Sequence, residues 1–237
     1  MLACFRSGEQ LLGNNDLAER CGLPKSTVSR LVQTLVRQGY LAQDVDTGKF
    51  RLGDATLALG GAALARLDMA QVARPLMQTL ADESHGMVAL AIRNRTSMIY
   101  LEVCRSDLAI SASLGVGSRL PLVTSAIGRA YLAGVSEAER AELLQRVRVR
   151  DEDAWPGISA AVRESLLHYR SFGCTTSFNG WRRGVNAIGV PVVAGPHRPV
   201  AAINCGGPVS VMSQTYLMSS VRPRLLELVA KLVTLLR

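Results

Sequence analysis

The stretch "LAERCGLPKSTVSRLVQTLVRQGYL", residues 17–41, predicts two helices joined by a tight turn. One of the polar residues 14–16 can cap the first helix, and Gly22 supplies its C-terminal break. Pro24 suits the first turn of the second helix, which Gly39 ends. The first few residues of the chain also favour a short helix.

The second helix has an apolar side and a polar side. Its apolar residues recur at the spacing of one buried stripe with a period of 3.6 residues. They are Val28, Leu31, Val32, Leu35 and Val36. A turn of about 100° per residue places Ser26, Arg30, Gln33 and Arg37 on the opposite side.

A short hairpin follows the two helices. The segment "YLAQDVDTGKFRLG", residues 40–53, predicts two strands around an Asp46-Thr47-Gly48 turn, with Lys49 and Arg51 on the return strand. Helix, turn, helix and basic hairpin together are the layout of a winged helix-turn-helix.

The predicted partner of this layout is double-stranded operator DNA. The second helix fits the major groove, where Arg can bind guanine and Gln can bind adenine. Hydroxyls near its start suit phosphate contacts, and basic wing residues suit the backbone or the minor groove. The predicted DNA-binding residues are Lys25, Ser26, Thr27, Ser29, Arg30, Gln33, Arg37, Lys49 and Arg51.

An alternative interpretation of the polar face is that it only meets water, as most such faces do. The formal net charge of +8 suits a polyanion. However, residues 1–67 hold eight Lys and Arg against six Asp and Glu, a net of +2. The basic surplus therefore lies mostly outside the predicted DNA-binding region.

Length and composition predict two unequal domains with buried cores. The chain has 237 residues, 48% of them hydrophobic and 19% charged. It shows no signal peptide and no run of eighteen apolar residues, which argues against a membrane span. Five scattered cysteines without CxxC spacing favour a reduced, cytoplasmic compartment without disulfides or structural zinc.

Several segments resemble the isocitrate lyase regulator (IclR) family of bacterial transcription factors. They are the helix-turn-helix, "FRLG" at 50–53, "RLPLVTSAIGRAYLAG" at 119–134, "GVNAIGVPVV" at 184–193 and "AAINCGGP" at 201–208. The resemblance implies an α+β protein that acts as a homodimer or homotetramer in the cytoplasm. Its implied parts are a winged helix-turn-helix domain at 1–53, a linker helix at 54–68, and an effector-binding domain at 69–237. That last domain would have a GAF/PAS-like fold, an antiparallel sheet flanked by helices.

The residue patterns after 53 are consistent with this layout. Residues 53–68 are rich in Ala and Leu and predict a helix, either a linker or a buried helix of the first domain. Helix patterns follow, and Pro223 marks the start of the last one or a kink in it. The helices are predicted at 69–84, 122–132, 137–147, 157–172 and around 225–236. Strands are predicted around the Asn94-Arg95-Thr96 loop, near Ile110, and near 174–178, 185–193 and 199–205, and we expect a mixed sheet.

No pattern in the chain indicates an enzyme, a metal site or a cofactor. His85, His168 and His197 lack a carboxylate or thiol at ligand or triad spacing. Cys174 and Cys205 fall in predicted strands, where a free cysteine is usually a small buried hydrophobe. The "GVGSR" at 115–119 lacks the lysine of a P-loop, and the "DED" at 151–153 favours a solvated loop.

The family resemblance also implies an effector site. Its implied residues are Thr124, Ser125, Ala126, Ile127, Ser177, Trp181, Arg182, Ala187, Asn204 and Gly206. This chain departs from the family pattern at several of them: Ser177 replaces an acidic residue, Ala187 a cysteine, and Asn204 and Gly206 two serines. Val123 likewise stands in place of a histidine.

The expected effector is a small organic acid, a carboxylate from a catabolic pathway. The start of a helix at Thr124 and Ser125 suits a carboxylate, and Trp181, Arg182 and Arg183 offer an aromatic wall and cationic ends. Alternatively, Trp181 packs on the surface with both arginines solvated. A separate alternative for the function is a DNA-associated sensor or scaffold whose second domain serves assembly rather than ligand sensing.

Overall fold

The computed structural model describes residues 1–5, 11–64, 68–106, 114–195 and 198–236. The strand expected near Ile110 and the side chain of His197 lie outside these ranges. The chain divides into two compact units, Met1–Asp68 and Met69–Arg237.

The first unit begins with a 3₁₀ turn, Leu2–Cys4, followed by helices and a two-stranded antiparallel sheet. These elements are α1 (Asn14–Cys21), α2 (Lys25–Arg37), β1 (Leu41–Gln43), β2 (Phe50–Leu52) and α3 (Ala55–Leu64). The N-cap of α1 is Gly13 rather than one of the residues 14–16, which lie inside the helix. The Asp16 carboxylate accepts a hydrogen bond from the Gly13 N–H at 2.8 Å. Gly22 ends α1 at φ +62°, in the left-handed region that favours glycine.

A small apolar core joins the helices of the first unit to its hairpin. Its buried residues are Leu12, Leu17, Ala18, Val28, Val32, Leu41 and Phe50. Leu35 and Val36 are half-buried against this core, as the stripe on α2 predicts. The inward placement of Leu31 is wrong, because its side chain is 41% exposed. It lies about 60° from Val28 around the helix axis, at the edge of the stripe.

Most of the described side chains of α3, which end at Gly61, are exposed. Leu57 and Leu59 are 75% and 55% exposed. A Cβ added at Gly60 or Gly61 would meet no atom within 4 Å.

The second unit packs helices around a six-stranded sheet of order β5-β4-β3-β8-β7-β6. Its strands are β3 (Met87–Asn94), β4 (Ser97–Arg105), β5 (Arg119–Pro121), β6 (Thr175–Phe178), β7 (Val185–Val192) and β8 (Ala201–Pro208). Every neighbouring pair is antiparallel, so the expectation of a mixed sheet was wrong and the antiparallel sheet implied by the family resemblance is confirmed. A pattern of apolar residues marks strands, but it does not set their direction.

The helices of the second unit are α4 (Asp68–Ser84), α5 (Ala126–Gly134), α6 (Glu137–Arg148), α7 (Trp155–Phe172), α8 (Gln214–Tyr216) and α9 (Arg222–Leu235). Helix α5 starts four residues after the predicted Leu122, because Ser125 caps it and Arg119–Pro121 is a strand. Pro223 lies in the first turn of α9, and a π-helical turn, Leu217–Val221, precedes that helix.

Glycines let the backbone of α5 approach both the sheet and the segment that precedes the helix. A Cβ at Gly189 of β7 would lie 2.7 Å from the carbonyl oxygen of Ala126. A Cβ at Gly128 would lie 2.2 Å from the carbonyl oxygen of Leu122. The backbone of α5 therefore rests directly on β7, and this contact fixes where the helix begins above the sheet.

The five cysteines are free thiols, and the sulfur atoms of Cys4 and Cys21 lie 3.3 Å apart. In the described ranges, every helix is too short or too polar to cross a lipid bilayer.

Candidate functional site

The outer side of α2 is a polar surface open to solvent. Of the nine residues predicted to bind DNA, eight are exposed and Ser29 is half-buried. Ser29 Oγ donates to the carbonyl of Lys25 at 3.0 Å, so this hydroxyl is used within the helix. In the part of the chain that the structure describes, the side chains of Arg30 and Gln33 make no hydrogen bond or ion pair. Both are therefore available to an outside partner.

Hydrogen bonds fix the turn of the wing. The Asp44 carboxylate accepts from the Thr47 N–H at 2.9 Å and from its hydroxyl at 2.6 Å. These bonds hold the pKa of Asp44 below its ordinary value. Gly48 follows at φ +66°, where a residue with a side chain would be strained. The result is an exposed Lys49 beside β2, whose first residue, Phe50, is anchored in the core.

The second unit contains a cavity of about 370 Å³ between the sheet, the start of α5 and the segment after β6. This volume is within the range of small-molecule sites. The residues that line the cavity are Met87, Tyr100, Leu114, Leu120, Ser125, Ala126, Ser177, Trp181, Arg182, Val185, Ala187, Asn204, Gly206, Gly207 and Pro208.

Eight of the ten residues proposed for an effector site line this cavity. Thr124 and Ile127 do not: Ile127 is fully buried in the core, and Thr124 uses its carbonyl to accept from Ser177 Oγ at 2.7 Å. Sequence reasoning missed the remaining lining residues, among them Met87 and Tyr100. Only the strand register brings these two residues to the cavity.

A row of cross-strand partners, three of them small, forms the floor of the cavity. Ser177, Ala187, Gly206 and Met87 are consecutive partners across β6, β7, β8 and β3. Directly paired residues project to the same face of a sheet. Because the two central positions carry only a methyl group and a hydrogen atom, space remains above them.

The segment between β6 and β7 forms one wall. Asn179 Oδ1 accepts from the Gly184 N–H at 2.8 Å, which closes this segment into a compact loop. Trp181 is half-buried and packs against the buried apolar residues of the second unit. Arg182 also lines the cavity, but most of this residue is exposed to solvent. Arg183 is exposed and outside the lining.

Ser125 stabilises the start of α5. Its Oγ accepts from the Gly128 N–H at 3.2 Å and donates to the Pro121 carbonyl at 2.6 Å. The N–H groups of Ala126 and Ile127, in the first turn, have no carbonyl four residues earlier within the helix. This end of the cavity thus carries the partial positive charge of a helix N-terminus.

Arginines add positive charge near the cavity, and the lining residues within the described ranges include no Asp or Glu. Arg129 donates to the carbonyls of Val123 and Thr176 at 2.8 and 2.9 Å, and burial lowers the pKa of its guanidinium. Arg105 is the cross-strand partner of Met87, and its buried Nε has no hydrogen-bond partner in the described ranges. The cavity is therefore apolar in its walls and positive at its edges.

Two buried side chains of the lining, Tyr100 and Asn204, lie close enough to interact, although Tyr100 Oη and Asn204 Oδ1 make no hydrogen bond of ordinary length and angle in the part of the chain that is described. Burial raises the pKa of the Tyr100 hydroxyl well above its ordinary value, and the Asn204 side chain beside it offsets part of that rise. The hydroxyl is therefore neutral and able to donate at any physiological pH.

Among the residues the structure describes, no group of three His, Cys, Asp or Glu side chains could hold a metal ion. Cys174 and Cys205 are buried, and burial raises the pKa of both thiols to about 11. Both therefore remain protonated near neutral pH.

Comparison with known proteins identifies both units. The family described as bacterial transcriptional regulator IclR C-terminal matches residues 61–233, and the IclR helix-turn-helix domain matches residues 1–45. The chain belongs to the IclR family of bacterial transcriptional regulators. It is 31% identical over 231 residues to the HTH-type transcriptional regulator TsaQ1/TsaQ2 of Comamonas testosteroni. The aligned region covers 97% of this chain and 83% of that protein.

Solved structures of the IclR family share this fold. An IclR family transcriptional regulator from Brucella abortus superposes with a TM-score of 0.86 at 40% identity, covering 99% of this chain and 88% of that one. An IclR homologue complexed with 4-hydroxybenzoate, from Microbacterium hydrocarbonoxydans, has a TM-score of 0.75 at 26% identity, covering 100% and 95%.

Membership of the IclR family makes this chain a DNA-binding transcriptional regulator with a helix-turn-helix domain. The family relatives are named as transcriptional regulators rather than as enzymes. The prediction of a transcriptional regulator of this family is thus confirmed.

Proposed function

We propose that this regulator binds operator DNA through α2 and the wing, and that a small organic acid in the cavity of the second unit changes its DNA affinity. The observation that carries the proposal is an apolar cavity whose edge holds a helix start and Arg182, and whose lining has no acidic residue in the part of the chain that is described. The 4-hydroxybenzoate bound by a structural relative supports an aromatic carboxylate as the acid.

The chemistry of the cavity matches that ligand. A buried carboxylate requires charge-assisted hydrogen bonds, because desolvating it without partners costs several kcal/mol. The first-turn N–H groups of α5 and the Arg182 guanidinium supply such donors, and Trp181 covers an apolar ring. Binding alters transcription only if the acid binds the DNA-competent and incompetent arrangements unequally.

Calorimetry with a panel of monocyclic carboxylates tests the acid site. Arg182→Ala should weaken binding of the best acid by about tenfold, the loss expected for one charge-assisted contact at a partly exposed position. Arg183→Ala is the matched control, since it removes the same charge from the same loop outside the cavity. Equal losses in both variants would mean that only net charge matters, and the assigned site would be wrong.

The role of α2 is tested by two charge deletions on the first unit. Arg30→Ala should weaken specific binding by about 1–3 kcal/mol and relax the preference at one base position, as loss of a base contact does. Lys49→Ala should weaken binding to all sequences similarly and flatten its salt dependence, as loss of a phosphate contact does. If Arg30→Ala left specific and nonspecific binding unchanged, α2 would not be the reading helix.

The proposal includes assembly into a homodimer or homotetramer in the cytoplasm, where operator DNA lies. One short recognition helix buries little surface, so two copies are needed to read half-sites about one helical turn apart. The exposed Leu57 and Leu59 on α3 give an apolar surface suited to joining two copies. Sedimentation of a monomer at micromolar concentration with operator DNA present would refute this.

A further inference from the structure

Two cysteines of the first unit lie within reach of each other. Cys4 is the last residue of the 3₁₀ turn, and Cys21 is the last residue of α1, 17 positions further along the chain. Their sulfur atoms are 3.3 Å apart, whereas the sulfur atoms of a disulfide are about 2.0 Å apart. An approach of about 1.3 Å would therefore allow a bond between them.

Contacts around Cys4 hold its thiol beside Cys21. Arg20 donates from Nη1 to the carbonyl oxygen of Cys4 at 2.9 Å, which ties the turn to the end of α1. Leu2 and Phe5, in and after the same turn, are half-buried against the apolar core of the first unit. The turn that carries Cys4 is therefore fixed against the helix that carries Cys21.

The two thiols of this pair are accessible to solvent, while the other three cysteines of the chain are buried. Cys4 and Cys21 are half-buried, and the buried cysteines are Cys104, Cys174 and Cys205. Burial raises the pKa of each of those three thiols to about 11, which keeps them protonated and unreactive near neutral pH. An oxidant in solution should therefore react first with the pair in the first unit.

We propose that Cys4 and Cys21 are a redox modification site, at which a hydroperoxide forms a reversible intramolecular disulfide. In a reducing compartment such a disulfide is transient, which is typical of redox-sensing rather than structural disulfides. The site is separate from the DNA surface and from the acid cavity, and it does not depend on either assignment.

The reaction takes two steps. The thiolate of Cys21 attacks the hydroperoxide: a sulfur–oxygen bond forms, the oxygen–oxygen bond breaks, and the leaving oxygen takes up a proton as water or an alcohol. The sulfur of Cys4 then attacks the sulfenic acid on Cys21: the disulfide forms, the sulfur–oxygen bond breaks, and the leaving hydroxide takes the proton of Cys4 as water. The two thiols lose the two electrons that the hydroperoxide gains.

The surroundings of Cys4 decide the order of these steps. Burial, and next the hydrogen bond with Cys21, raise the pKa of the Cys4 thiol. Since the thiolate is the nucleophile, Cys4 is slow to attack a hydroperoxide from solution. We therefore assign the first step to Cys21 and the second to Cys4.

The disulfide would act on the helix that precedes α2. Cys21 is followed directly by Gly22, and α2 begins at Lys25. The bond would close the segment between the two cysteines into a loop, which restricts the unfolded conformations of that segment. Opening of α1 should therefore be rarer in the oxidised protein than in the reduced one.

The test treats the full chain with hydrogen peroxide at neutral pH, alkylates the remaining thiols and maps the products by mass spectrometry. Wild type should form a crosslink between Cys4 and Cys21 within one chain, and dithiothreitol should restore both thiols. Hydrogen exchange of the α1 amides should be about tenfold slower in the oxidised protein. The proposal is overturned if the pair stays reduced, if the crosslink joins two copies, or if Cys104, Cys174 or Cys205 reacts first.

Serine substitutions separate the roles of the two thiols. Cys4→Ser should stop at a sulfenic acid on Cys21, which dimedone traps, whereas Cys21→Ser should react with peroxide about tenfold more slowly than wild type. Cys174→Ala is the matched control, since it removes a buried thiol and should form the crosslink like wild type. Thermal unfolding checks that each variant is folded. If Cys21→Ser reacted as fast as wild type, the assigned order of the two steps would be wrong.

Discussion

Filling the cavity from its floor should abolish ligand binding without unfolding the protein, and Ala187→Leu does this most directly. Ala187 lies on β7 between Ser177 and Gly206, two small cross-strand neighbours. A leucine side chain therefore has room to extend into the space that we assign to the effector. Ser125→Leu is a poorer choice, because Ser125 caps α5 and its hydroxyl is buried.

The expected magnitude follows from the three carbons that the substitution adds. Each buried CH₂ contributes about 0.8 kcal/mol, so three of them set an upper limit of about 2.4 kcal/mol. Ala187 is half-buried, so the expected gain in the free energy of unfolding is about 0–1 kcal/mol. For a domain of this size that raises the melting temperature by about 0–4 °C.

Calorimetry and thermal unfolding measure the two effects separately. Acid affinity should fall at least tenfold in Ala187→Leu, while the melting temperature stays constant or rises. Ala160→Leu, at an exposed position of α7 outside the cavity, is the control and should bind acid like wild type. Unchanged acid affinity in Ala187→Leu would refute the assigned cavity. A loss of more than about 2 kcal/mol of stability would refute the claim of free space above the strand.

Two further predictions concern packing and ionisation in the second unit. Gly128→Ala should lower the free energy of unfolding by about 1–3 kcal/mol, because its Cβ would meet the Leu122 carbonyl at 2.2 Å. The control is Gly157→Ala on α7, whose Cβ would meet nothing within 4 Å, so this variant should be slightly more stable than wild type. Urea denaturation measures the free energy of unfolding of both variants. Burial raises the pKa of Cys205 from 9.0 to about 11, so the folded state keeps a proton that the unfolded chain loses. The free energy of unfolding should therefore decrease between about pH 9 and pH 11. In Cys205→Ala this decrease should be smaller than in wild type by about 3 kcal/mol, as measured by urea titrations at each pH.

The winged helix unit could be predicted from the sequence because its signals are local. The apolar stripe on α2, the left-handed glycines at 22 and 48, and the basic residues of the hairpin each need only neighbours along the chain. Leu31 was misplaced because a period of 3.6 residues gives the centre of a stripe but does not give the width of the surface that packs on it.

The cavity was only partly predictable. The segment around Ser125 and the loop of Trp181 and Arg182 came from family resemblance rather than from periodicity. Tyr100 and Met87 could not be found in this way, because their place depends on which strands pair and in which register. The shift between Leu90 and Ala91 on β3 is one example: it decides which residue of β4 faces the cavity, and no local pattern encodes it.

The most direct test of the account is the affinity for operator DNA with and without acid. Fluorescence anisotropy at fixed salt would measure Kd for the DNA adjoining the gene of this regulator, using the best acid from calorimetry at saturation. We expect the acid to change the wild-type Kd by about 5–150-fold, the usual range of allosteric coupling, and to leave the Kd of Ala187→Leu unchanged. A wild-type Kd that is the same with and without bound acid would contradict the central claim.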